Sequence, residues 1–197
     1  MRKIAVIAEP GVLDAWAAAQ LLGEARDVQA RNVSDLIRDA VHRKTAWGRR
    51  FDEHLRAGEL VPEEVTAEFV AEVLARERGG WVLYGYPRSV AQAVLLAAHG
   101  HEPDVVIEVS RPDGYVDRRL AEGRSVFALP RYRADAAPLH DVYRRDGRFR
   151  AVCQTGSFWQ LAIELESCVF PSAPDGPGDQ GGDHVVEGGG EIQAHGG

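Results

Sequence analysis

Five short strand-like segments, each followed by a stretch of helical periodicity, constrain this chain more than any other feature. The first, IAVIA (4–8), has no polar residue, the form of a strand buried on both faces. The others are VQARNV (28–33), WVLYGYP (81–87), DVVIEV (104–109) and RFRAVC (148–153). Helical patterns occupy 15–22, 34–42 with Ser34 or Asp35 as cap, and 46–58 closing at Gly58. Further ones run over 62–79, opening on Pro and two acids, and over 89–100, 113–123, 132–147 (despite Pro138) and 157–167. Strands that alternate with helices pair in parallel, because each crossover returns the chain to the same edge of the sheet. The expected architecture is α/β: a three-layer α/β/α fold around a five-stranded parallel sheet. Ligands in such folds bind outside the carboxyl ends of the strands. Here that edge holds residues 8–16, 33–38, 84–88 and 110–124.

A composition break falls near Phe170. Residues 171–197 contain nine glycines and five acids and no Lys or Arg. Such a segment buries too little apolar surface to offset its ordering entropy, so it reads as a disordered tail after a domain spanning 1–170. His184 and His195 are isolated in that tail and make no metal pattern, and Cys153 and Cys168 have no ligand spacing. The net charge is −7, but the tail carries most of it. The nearly neutral body offers no basic field for nucleic acid. No apolar run is long enough to span a membrane, and the N-terminus has no signal-peptide layout, so the expectation is a cytoplasmic protein.

The first strand, Pro10-Gly11 and the alanine-rich helix form a strand–turn–helix unit of the kind that carries phosphate-binding loops. A loop of that class needs G-x-x-x-x-G-K-[ST], with glycines to let backbone amides approach phosphate, a lysine to reach it and a hydroxyl for magnesium. This chain has Ala8 and Leu13 at the glycine places, Asp14 at the lysine's and Ala15-Trp16 where the hydroxyl belongs.

The segments GELVPEEV (58–65) and YGYPRSVAQA (84–93) resemble two signatures of the adenylate kinase family of nucleoside monophosphate kinases. Order and spacing agree also for the degenerate loop at 8–16, SDLIRDAV (34–41), VSRPDGYVDRRL (109–120), APLHDVY (137–143) and QTGS (154–157). The resemblance covers roughly residues 2–167 and implies a P-loop nucleoside-monophosphate-kinase-like fold, with 34–65 as the monophosphate-binding insertion. It implies that Arg38 and Arg88 grip the monophosphate and that Gln92 reads the adenine edge. It also implies that Gly58, Glu59, Leu60 and Val61 line the base and that Gly85, Tyr86 and Pro87 bring backbone close to the ligand. These residue types suit those roles, since guanidinium forks bind phosphate oxygens bidentately and an amide offers a donor and an acceptor. Val33 departs from the family's threonine.

On the donor side the resemblance implies Gly11, Arg119 and Arg124, but other parts are missing. Tyr84 replaces the aspartate that helps organise magnesium, and the lid is largely absent near 124–131 together with two clamping arginines. Arg131 or Arg133 could substitute for them, but neither stands at a matching position, and both read rather as exposed helix arginines. Phosphoryl transfer rests on positioning and on cations around the phosphates. A charge pair at about 4 Å is worth roughly 4 kcal/mol at an effective dielectric of 20, as much as a millimolar binding energy. Asp14 in place of lysine therefore closes the site to ATP in its usual pose. Its bland reading is a helix cap, worth about 0.3–1 kcal/mol.

The leading reading is an adenylate kinase-like protein that keeps a nucleoside monophosphate (AMP) pocket without ATP-dependent transfer, a pseudoenzyme with no certain cofactor. A second is a repurposed enzyme acting on a nucleotide-derived metabolite, with Asp14, Glu9 or Tyr84 as acid–base candidates. A residual kinase with unusual donor binding, which alone calls for Mg, and a purely protein-binding role complete the set. The sequence names no protein partner and no metal ligands.

Overall fold

The computed structural model describes residues 2–112 and 128–170. Strands β1 (Lys3–Ala8), β2 (Gln29–Asn32), β3 (Trp81–Tyr84), β4 (Val105–Ser110) and β5 (Phe149–Cys153) form one sheet, all pairs parallel, in the order β2-β3-β1-β4-β5. Seven helices are described: α1 (Ala15–Ala25), α2 (Val33–His42), α3 (Ala46–Ala57), α4 (Glu63–Leu74), α5 (Val90–Ala98), α6 (Ala128–Arg145) and α7 (Phe158–Val169). The central strand β1 shows why its sequence is apolar throughout. Ile4 and Val6 pack with Leu22 of α1 and with Leu161 and Leu165 of α7, whereas Ala5 and Ile7 pack with Ala93 of α5 and with Leu139 and Tyr143 of α6. Helices therefore cover both faces, and the three-layer α/β/α expectation holds.

Three element boundaries differ from the sequence reading. Helix α2 starts at Val33 and is capped by Asn32, whose Oδ1 accepts from the Ser34 N–H at 3.0 Å, not by Ser34 or Asp35. With no linker after β2, the extended residue at the junction has to be the cap. Helix α4 ends at Leu74 instead of running to Gly79, and a turn through Arg76 and Glu77 leads into Gly79 and Gly80. A Cβ on Gly80 would lie 2.3 Å from the Arg2 carbonyl oxygen, so the chain passes there too tightly for a helix to continue. Helix α6 begins at Ala128, four residues before the expected start, and holds Pro138 inside. Val33, where the family has threonine, is buried in an apolar cluster with Phe51, Trp81 and Leu83.

Gly58 closes α3 at φ 70°, as its position before the next helix suggested. The α2–α3 pair is close-packed, since a Cβ on Gly48 would fall 1.9 Å from the Ala40 carbonyl oxygen. It is joined to α4 by the edge-to-face rings of Phe51 and Phe69, 5.1 Å apart, and by the Trp47 Nε1–H donating to Glu72 at 2.7 Å. The helix expected over 113–123, Arg119 and Arg124, the missing-lid position up to 127 and the tail at 171–197 lie outside the described residues.

Candidate functional site

The β1–α1 connection is a tight turn. The Val12 N–H donates to the Glu9 carbonyl at 3.2 Å, and Gly11 sits at φ 95°, a conformation that only glycine adopts cheaply. The Glu9 N–H donates to the Val109 carbonyl at 3.0 Å. Two amides of this loop are thus spent inside the fold, and Val12 is buried in the core. Asp14 stands at the N-cap of α1, and its carbonyl accepts from the Ala18 N–H at 2.9 Å. Its carboxylate makes no capping bond, which corrects the bland reading of this residue. The side chain instead accepts from Arg111 Nη2 at 3.2 Å and from Gln154 Nε2 at 3.0 Å. A guanidinium only 11% exposed attracts a carboxylate more strongly than a solvated amide does.

Glu9 is the other acid of the turn, with its side chain 5% exposed. Its Oε1 accepts from Arg133 Nε at 2.7 Å and its Oε2 from the Arg111 backbone N–H at 3.4 Å. Arg133 is thus an exposed helix arginine, as expected, at 45% exposure, yet it also engages Glu9 at the sheet edge. Its neighbour on α6, Tyr132, donates its hydroxyl to Glu108 Oε1 of β4 at 3.2 Å. His140 Nε2 reaches the same oxygen at 3.1 Å, out of hydrogen-bond line. Burial, then the Glu108 carboxylate, push the Tyr132 hydroxyl well above the usual tyrosine range, so it is a donor at any working pH. Sequence reasoning passes over Arg111, Gln154, Glu108, Tyr132 and His140. The one local signal is Glu108, the only charge in the otherwise apolar strand VVIEVS. A charge there needs buried partners.

The β3–α5 turn and the first turn of α5 carry half of the expected monophosphate-binding residues. Tyr84 ends β3 with its ring 5.5 Å from that of Trp16. Burial raises its pKa, opposed by Arg88, which favours the neutral phenol. Gly85 follows at φ 79°, and the Tyr86–Pro87 peptide is cis. Arg88 Nε donates to the Gly85 carbonyl at 2.8 Å, and the Arg88 N–H donates to Gln92 Oε1 at 2.8 Å. Ser89 caps α5 and donates to Glu63 at 2.6 Å. Beside these residues opens a cleft of about 540 Å³, lined by Glu63, Arg88, Gln92, Asp135 and Pro138 among others.

The remaining expected residues lie on α2 and on the α3–α4 connection. Arg38 is 75% exposed and forms an ion pair with Asp35, one turn back on α2. The Glu59 N–H donates to the His54 carbonyl at 3.0 Å, and its carboxylate is 3.6 Å from His54 Nδ1. Leu60 is 88% exposed, an apolar side chain left facing solvent, whereas Val61 packs on the cluster beneath. The structure thus joins Gly85, Tyr86, Pro87, Arg88 and Gln92 in one turn, and Glu9, Gly11 and Asp14 in another. Arg38 and residues 58–61 are carried on separate elements.

Among the described residues of this edge, no side-chain set is arranged to hold magnesium. Glu9 and Asp14 already carry guanidiniums, and the described residues contain no group of three His, Cys, Asp or Glu able to hold a metal ion. Among the described residues no helix is long and apolar enough to cross a membrane.

Comparison with known proteins gives a consistent answer. A family model described as adenylate kinase matches residues 10–150. An adenylate kinase of Prochlorococcus marinus (strain MIT 9303) is 31% identical over 163 residues, covering 77% of this chain and 90% of that protein. One of Corynebacterium urealyticum is 32% identical over 166 residues, with the same coverage. One of Synechococcus sp. (strain JA-2-3B'a(2-13)) is 36% identical over 139 residues, covering 61% and 72%.

Proposed function

The chain belongs to the adenylate kinase family, and from that premise we propose that it binds a nucleoside monophosphate, AMP foremost, without transferring phosphoryl groups from ATP. The pocket is the β3–α5 turn. Arg88, oriented by the Gly85 carbonyl, takes the phosphate, Arg38 supplies a second guanidinium from α2, and Gln92 and residues 58–61 take the base. One observation carries the loss of transfer. Asp14, at the place of the loop lysine, is held by Arg111 and Gln154, while Glu9 in the same turn holds Arg133. A γ-phosphate brought to this turn meets two carboxylates where transfer needs cations. The protein works in the cytoplasm under this reading and needs no cofactor.

The relatives are named adenylate kinases, which favours a second reading, a residual kinase that takes Mg-ATP with an altered donor pose. Two measurements separate the readings. AMP titrated into the protein gives saturable heat at millimolar concentration or below, and a coupled assay with AMP and Mg-ATP gives no ADP above background. AMP-dependent ADP formation by the native protein overturns the first reading in favour of the second.

A further inference from the structure

The turn after β1 contributes two carboxylates, and two arginines from distant parts of the chain come to meet them. Arg111, the first residue past β4, reaches Asp14 at 3.2 Å, and Arg133 on α6 reaches Glu9 at 2.7 Å. Each carboxylate also takes a second, neutral donor: Gln154 Nε2 for Asp14 at 3.0 Å and the Arg111 N–H for Glu9 at 3.4 Å. A guanidinium plus an amide donor is also the set that binds a phosphate oxygen pair. Glu9 is 5% exposed, and a charge so buried is tolerated only with such partners. The acids are therefore built into the edge and are not surface charges that happen to lie near it.

We infer that Glu9 and Asp14 are specificity-determining residues: as the chain's own oxyanions they occupy the Arg133 and Arg111 guanidiniums and bar polyphosphates from the loop. The inference rests on the proposed monophosphate pocket and adds to it the class of ligand admitted. Strand β3, which leads to Arg88, is the direct neighbour of β1. Tyr132 lies within electrostatic reach of both Arg88 and Glu9. A phosphate on Arg88 is accepted, whereas a ligand extended from it toward β1 by further phosphates runs into resident carboxylates. The site takes monophosphates, or monophosphates esterified to a neutral or cationic group, in preference to di- and triphosphates.

The test uses inorganic pyrophosphate as probe, titrated calorimetrically in metal-free buffer into the full chain and into the double variant Glu9→Gln/Asp14→Asn. The native protein shows no saturable binding at about 1 mM, a free energy near 4 kcal/mol. The double variant gains at least tenfold. Adding Arg111→Ala and Arg133→Ala together removes the gain, which assigns it to the two guanidiniums that the acids cover. If the double variant loses its circular-dichroism spectrum, Asp14→Asn alone carries the test with a several-fold gain, because its side chain is 40% exposed. Equal pyrophosphate binding by native and neutralised proteins overturns the inference, and so does a gain that survives the combined loss of Arg111 and Arg133. Failure of AMP to bind the native protein removes the proposed function but leaves the pyrophosphate comparison readable.

Discussion

Arg88 is fixed by Gly85, three residues before it: its Nε donates to the Gly85 carbonyl at 2.8 Å, and a Cβ on Gly85 would stand 3.1 Å from its Nη2. Gly85 also sits at φ 79° and donates its N–H to the Val6 carbonyl at 2.8 Å, so the backbone cannot swing away. The guanidinium keeps its place because position 85 has no side chain.

Gly85→Ala is therefore expected to act twice. The left-handed backbone costs an alanine about 1–2 kcal/mol, which lowers the melting temperature by several degrees in a chain of this size. The methyl group also displaces the Arg88 fork, so AMP affinity falls along with stability. Thermal melts and AMP titration of the variant check both, and a variant with native melting temperature contradicts the backbone argument.

Arg88→Ala separates binding from folding. Arg88 is exposed, and the native fold is expected to survive its loss. AMP binding should weaken by about 1.5–3 kcal/mol, the range for a hydrogen bond to a charged group. Arg88→Lys should recover only part of this, because an ammonium cannot give the planar two-pronged contact. Unchanged AMP affinity in the alanine variant moves the site elsewhere.

The fold is legible in the sequence because its signals are local and repeated. The apolar runs of β1 and β4, Gly58 after α3 and Ser89 before α5 each state their role within a few residues. The β3–α5 turn is legible for the same reason, since Gly85, Arg88 and Gln92 are close neighbours along the chain. The ion pairs of the donor edge are not. Arg111 lies 97 residues from Asp14 and Arg133 lies 124 from Glu9, separations that leave no periodicity to read. Asp14 is conspicuous as a replaced lysine, but its partner comes from the far end of β4. Local sequence therefore suggests a cap where the fold makes an ion pair.

Alkaline pH should unfold the protein through its tyrosines. Burial pushes the hydroxyls of Tyr84, Tyr86 and Tyr132 upward and raises that of Tyr143 to about 12. A group whose folded pKa exceeds its unfolded value contributes stability below the unfolded pKa, near 10, and loses it as pH rises through the folded value. Stability is expected to be flat up to about pH 10 and to fall from there toward 12. Tyrosinate absorbance should appear together with unfolding. Full tyrosine ionisation with intact circular dichroism contradicts this.

The chain after Phe170 should add nothing to folding, whereas Phe170 itself should. The guanidinium carbon of Arg26 stands 3.7 Å from the Phe170 ring centroid and that of Arg2 stands 5.3 Å away. Truncation after Phe170 is expected to leave the melting temperature within about a degree, in line with changes that touch no core. Truncation after Val169, which also removes the ring, should lower it further. A large drop on truncation after Phe170 points to a tail that packs on the domain.

Asp14→Lys restores the family's residue at this place, yet it is not expected to restore transfer. The new ammonium would face Arg111, whose side chain is 11% exposed and which loses the Asp14 carboxylate in the exchange. Two like charges at about 4 Å repel by up to roughly 4 kcal/mol at an effective dielectric of 20. The 40% exposure of position 14 screens much of that, so a moderate loss of melting temperature is expected and not collapse. Gln154 can turn its amide to present Oε1, which has no hydrogen-bond partner among the described residues, to the lysine. The loop itself stays closed, with the Val12 N–H on Glu9 and the Glu9 N–H on Val109, and Glu9 still opposes phosphate. The variant should therefore bind ATP slightly better than the native chain and still give no ADP from AMP and Mg-ATP in a coupled assay. Slow, AMP-dependent turnover by the native protein, abolished by Arg88→Ala, sinks the reading of lost transfer. Turnover gained by Asp14→Lys alone shows that charge at position 14, and not the closed loop, is what silences the site.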